Sequence, residues 1–181
     1  MENKRKKANK TKKIMFISSI IIFLLFGSID RISKYYARLK LKDHPNFPLI
    51  PGKIELHYLE NSGAAFGLLK GQEALFIFVS IVIICSILYV HYKIPAKAKY
   101  YPIVYCLTFI ATGASGNMID RVLYHHVVDF IFISSIRFPI FNLADIYVTL
   151  ATLVMVILII LKYKEEDLDF LRYKEKKLRE I

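Results

Sequence analysis

Four long apolar runs, separated by polar segments, organise the chain. They lie at about 13–32, 73–92, 100–121 and 141–162. Each approaches the ~20 helical residues needed to cross a hydrocarbon layer about 30 Å thick. The pattern predicts four transmembrane helices. The first, centred on IMFISSIIIFLLFGSI, follows a basic tail and so imitates a secretory signal peptide. No small-residue cleavage site follows it, and GSIDRISKYY reads as the end of an uncleaved helix.

The segments between the runs carry a different period. In the loop from about 33 to 72, HPNFPLIPG holds three prolines and a glycine, which mark turns, and KIELHYLE then alternates as a strand does. ENSGAAFGLLKG follows, with small residues that let a backbone approach a neighbour closely. Between runs three and four, VVDFIFI is β-branched and aromatic, and SSIRFPIF could turn it back as a second extended piece; a rival reading makes VVDFIFI lipid-embedded helix. The strand at 53–60 predicts a small sheet on the outer membrane surface. Residues 1–13 read as a disordered basic tail, 14–162 as the four-helix domain, and 163–181 as a charged, solvated helical continuation of run four.

Composition agrees with a membrane protein: 55% of residues are hydrophobic, and the mean hydropathy is +0.41. The net charge of +11 would raise nucleic acid as a partner in a soluble protein. Its distribution gives a simpler assignment. The tail to residue 13 holds seven Lys/Arg, HYKIPAKAK three and the segment from Lys162 seven, which is 17 of 26. Basic residues flanking spans stay cytoplasmic, so both termini are expected inside and no nucleic-acid partner is expected. Cys85 and Cys106, near the centres of runs two and three, make neither a disulfide framework nor a zinc motif and read as small apolar side chains packed between helices.

Polar residues cluster at the outward ends of the runs: Asp30 and Lys34 after run one, Asn117, Asp120 and Arg121 in run three, Asn142 and Asp145 opening run four. Ionisable groups in hydrocarbon are expensive and are paired or functional. Each of these has a local explanation. Asp30/Lys34 and Asn117/Arg121 have i, i+4 spacing, Arg121 could snorkel, and Asn142 with Asp145 fits a helix N-cap with an acid in the first turn. Asp129 has no such explanation among Val127, Val128, Phe130 and Ile131. If it meets Asp145, two carboxylates in a low-dielectric site would share one proton. That arrangement lets one acid activate water while the other polarises a carbonyl.

Other chemistries fit less well. His125 and His126 have no H-E-x-x-H context for a metal, and nothing places Ser62 beside Lys34 as a nucleophile and base. A proton- or ion-conducting transporter would place its acids near the midplane rather than at helix ends. A non-catalytic protein that binds or assembles partners stays open, against the intact pair of acids.

DRISK at 30–34, NSGAAFG at 61–67, GASGNMIDRVLYHHVVDF at 113–130 and FPIFNLAD at 138–145 occur in the order and on the spans that resemble the lipoprotein signal peptidases, or signal peptidase II. The resemblance covers about 14–162. It implies an all-α membrane fold of four transmembrane helices with a small extracytoplasmic β-sheet and a surface helix. It also implies an aspartyl endopeptidase of the bacterial cytoplasmic membrane, with both termini cytoplasmic and the active site near the outer face. Such an enzyme removes the signal peptide from prolipoproteins just before a diacylglyceryl-modified cysteine. Asp129 and Asp145 are then the catalytic pair. Asn61, Gly63, Ala64, Asn117, Asp120, Arg121, Asn142, Asp30 and Lys34 are expected to bind substrate or support the pair. No metal or cofactor is implied. The expected partners are prolipoproteins and membrane lipids, around a monomer. Arg31, Ser33, Thr112 and His125 depart from the family's usual residues.

Overall fold

The computed structural model describes residues 2–63 and 69–171. Four helices, α1 (Glu2–Leu41), α2 (Glu73–Lys93), α3 (Tyr101–Tyr124) and α4 (Leu143–Leu161), are each long and apolar enough to span a membrane. Three strands, β1 (Phe47–Ile50), β2 (Ile54–Asn61) and β3 (Val127–Ile133), form one antiparallel sheet in that order. The sheet confirms the extended reading of VVDFIFI and excludes the lipid-embedded helix. In the β2–β3 register Leu59 faces Asp129 and Asn61 faces Val127.

The SSIRFPIF segment does return along β3. After a 3₁₀ turn at Ser134–Ile136, Phe141 pairs with Ile131, donating to its carbonyl at 3.0 Å and accepting from its amide at 2.8 Å. Asn142 then opens α4.

α3 is the central helix, with α1, α2 and α4 packed around it; Val104, Ile103, Ile110 and Ala111 are buried there. The outward faces of α2 and α4, including Phe78, Leu88, Leu153 and Ile160, are exposed. Such a surface is stable against lipid, where all helical backbone bonds are internally satisfied. α3 and α4 approach through small residues. A Cβ on Gly113 would clash with the Ala144 carbonyl oxygen, and one on Gly116 would lie 2.6 Å from Asp30 Oδ2. Close helix approach in membranes needs such residues.

α1 is twice the expected length. Its first turns run through the basic segment read as a disordered tail, since Lys, Arg and Ala are good helix formers and extending an existing helix needs no new nucleus. Its last turns rise past Asp30 and Lys34, which therefore lie inside the helix rather than at its end. Ala37 there packs with Val128 and Phe130 of β3, so α1 carries the sheet.

The C-terminal expectation is also corrected. α4 stops at Leu161, and residues 165–171 form a 3₁₀ helix that folds back instead of continuing it. Tyr163 is buried, stacks on Tyr100 at 5.9 Å and donates from its hydroxyl to the Lys99 carbonyl at 2.7 Å. Lys99 also pairs with Asp167. Aromatic burial against the α2–α3 connection outweighs helical continuation; residues 172–181 lie outside the described residues. Cys106 is buried as expected, whereas Cys85 is exposed on the outer face of α2.

Candidate active site

β3 brings Asp129 to the top of α3 and α4, where it is 2% exposed. Asn61, at the end of β2, donates to Asp129 Oδ2 at 2.7 Å, and Asn142 donates to Oδ1 at 2.6 Å. Asp145 sits in the first turn of α4. It forms a capping box with Asn142: the Asp145 amide donates to Asn142 Oδ1 at 3.0 Å, and the Asn142 amide donates to Asp145 Oδ2 at 3.1 Å. Asn117 donates to Asp145 Oδ1 at 2.8 Å. Asn142 thus touches both acids, using its amide nitrogen for one and its cap for the other. Fully buried, it sets their relative position.

The two acids differ in surroundings. Burial pushes the Asp129 carboxyl up to about 6, and the nearby Asp145 charge adds to this, while the hydrogen bonds from Asn61 and Asn142 pull it down. Asp145 lies in the first turn of α4, with its side chain tied into the capping box.

Beneath the pair is a buried ionic cluster. Lys34 Nζ lies 3.0 Å from Asp30 Oδ2 and 2.9 Å from Asp120 Oδ2, and donates to Asn117 Oδ1 at 2.9 Å. With its oxygen held by Lys34, the Asn117 amide must turn its NH2 group to Asp145. Asp30 Oδ1 accepts from the Ala144 amide at 3.1 Å, another free N–H of the α4 start. Asp120 also pairs with Arg31. Asp30, Lys34 and Asp120 therefore support the asparagines, and none of their hydrogen bonds reaches Asp129 or Asp145. Lys34 is engaged in this cluster, so the alternative dyad with Ser62 has no geometric support.

Arg121 neither snorkels nor reaches the acids. It donates to the Gly63 carbonyl at 3.0 Å and lies over the Phe76 ring at 4.5 Å, while the Gly63 amide donates to Asn61 Oδ1 at 3.0 Å. Arg121 and Asn61 together hold the start of the loop after β2. Ala64, expected to be part of the site, lies outside the described residues. His125 Nδ1 meets Glu73 Oε2 at 2.9 Å and His126 faces Glu60 at 3.6 Å, so the two histidines turn to different partners. The sequence reading missed Arg31, Phe76 and Gly116. Only the i, i+3 placement of Arg31 and Lys34 hinted that both face one side of α1.

Fold and site define a polytopic membrane protein with a carboxylate pair held by three asparagines at one end of its bundle. The family model for signal peptidase (SPase) II matches residues 20–161. The chain is 38% identical over 151 residues to a lipoprotein signal peptidase of Clostridium tetani (strain Massachusetts / E88), covering 82% of this chain and 96% of the relative. It is 35% identical over 144 residues to one of Clostridium novyi (strain NT), covering 77% and 96%. A bacterial membrane enzyme solved by the in meso method at 2.3 Å resolution superposes with a TM-score of 0.71 at 30% identity, covering 91% of this chain and 94% of that one. The chain belongs to the signal peptidase II family and is, with it, a bacterial multi-pass membrane protease.

Proposed function

We propose that this protein is an aspartyl endopeptidase that cleaves the signal peptide from diacylglyceryl-modified prolipoproteins just before the lipidated cysteine. The observation that carries the reading is Asn142 bonded to both Asp129 and Asp145 at the buried end of the bundle. In this reading the pair shares one proton, held by Asp129, whose raised affinity for it suits an acid. Asp145 takes a proton from water, the water oxygen attacks the scissile carbonyl carbon, and Asp129 donates to the carbonyl oxygen as charge develops there. Collapse of the tetrahedral adduct breaks the C–N bond, Asp145 passes its proton to the departing amine, and Asp129 regains its own.

The helix faces admit the signal helix and lipid chains laterally, and Asn61, Gly63, Asn117, Arg121 and Asn142 form or support the surface that holds the substrate backbone. Residues 14–162 are the peptidase domain, flanked by basic segments; both termini are cytoplasmic, and the site opens at the outer face of a bacterial cytoplasmic membrane. The protein works as a monomer among membrane lipids. Asp129→Asn and Asp145→Asn are each expected to abolish processing of a lipidated precursor in detergent while leaving the melting profile cooperative. Turnover surviving in either variant would sink the mechanism.

A further inference from the structure

From the end of the bundle opposite the aspartates, a groove of about 810 Å³ runs between α1 and α2 over α3 as far as Ser115. Its floor is Val104, Thr108, Ala111 and Ser115 of α3; Phe16, Ile20 and Leu24 form one wall, and Ile84 and Leu88 the other. From Val104 to Ser115 the floor runs roughly 17 Å at 1.5 Å per residue. That is close to the ~15 Å depth of one leaflet's hydrocarbon. The polar groups inside are engaged with each other: Thr108 donates to Ser19 Oγ at 3.1 Å, and Ser19 meets His91 Nε2 at 3.3 Å. Deeper in the groove the lining is apolar apart from the Ser115 hydroxyl.

The mouth is different. Asn9, Lys12, Lys13, His91 and Tyr92 line it, and Lys12 is held there by the last carbonyls of α2, donating to Tyr92 O at 2.8 Å and Ile94 O at 3.4 Å. A cationic rim over an apolar slot one leaflet deep fits an anionic headgroup with acyl chains below it. It does not fit the signal segment of a substrate, whose polar end is itself basic.

We infer that this groove binds an anionic phospholipid of the leaflet on the side of the chain termini. The inference goes beyond the protease reading and does not depend on it, because its test reads binding alone. The full chain in detergent would be titrated with dioleoyl phosphatidylglycerol and with dioleoyl phosphatidylcholine, and the bound fraction followed by native mass spectrometry.

Phosphatidylglycerol is expected to bind preferentially, and the Lys12→Gln/Lys13→Gln variant to lose roughly tenfold of that preference, as expected for one to two lysines near an anionic surface. Lys6→Gln/Lys7→Gln, which changes charge away from the groove, should leave it intact. Ala111→Phe, with folding checked by its melting profile, should weaken both lipids by filling the floor. The inference is overturned if the two lipids bind alike, or if the Lys6/Lys7 change lowers the preference as much as the Lys12/Lys13 change. It is equally overturned if a basic signal peptide displaces the bound phosphatidylglycerol, or if lipid binding is lost as the chain dimerises through this face.

Discussion

Replacing Asn61 with leucine, which keeps its branching and removes its donor, should move the pH dependence of catalysis upward. Asn61 Nδ2 is one of two amide donors that favour the ionised form of Asp129, at 2.7 Å; the other is Asn142 at 2.6 Å. A hydrogen bond to a charged group is worth about 1.5–3 kcal/mol net, and one pKa unit is about 1.4 kcal/mol. Without Asn61 the Asp129 carboxyl, at about 6 in the native protein, should therefore rise by roughly one to two units.

The sign follows from the role. An acid that must be protonated is lost as pH rises through its pKa, so the alkaline limb of kcat/KM, near 6 in the free enzyme, should shift to higher pH. The assay is cleavage of a lipidated precursor in detergent micelles across pH 5–9. Asn61→Leu also removes the acceptor of the Gly63 amide, so the plateau rate should fall. Limb position, not height, is the diagnostic. An alkaline limb that stays in place or moves down, or an acid limb that moves instead, would refute the assignment of the proton to Asp129.

Three further outcomes follow from the packing. Lys34→Met should destabilise the protein by about 3–5 kcal/mol, because Asp30 and Asp120 lose their common cation in a buried site, and thermal melting in detergent would read it. Gly113→Ala should cost about 1–3 kcal/mol and lower turnover, since its Cβ would press on the Ala144 carbonyl next to Asp145; an unchanged melting temperature would contradict the tight α3–α4 contact. His125→Gly should raise stability by about 1 kcal/mol, because His125 ends α3 at φ 65°, in the left-handed region. The exposed contact to Glu73 that it gives up is worth little, and a lower melting temperature would refute the argument.

That last residue shows how a sequence feature acquires its reason. His125 was legible only as a departure from a usual glycine, and the left-handed turn between α3 and β3 explains why glycine suits the place. Asn142 and Asp145 were legible as a cap and a first-turn acid, which they are, but Asn142 also holds Asp129, a contact no local pattern encodes. Arg121 was read from its spacing as a residue free to snorkel, and instead reaches the Gly63 carbonyl across the fold.

The sequence by itself determined the four spans, the alternating strand before Asn61, and the placement of charged and amide side chains toward one end. These depend on hydropathy and on the periods of helix and strand, which are properties of neighbouring residues. Only the tertiary structure decided that α1 runs on at both ends, that the chain after α4 folds back onto Tyr100, and that Arg31 joins Lys34 at Asp120. It alone also decided which amide faces which acid. Those outcomes turn on contacts between segments far apart in the chain, where a side chain's partner is set by packing geometry that no local period records.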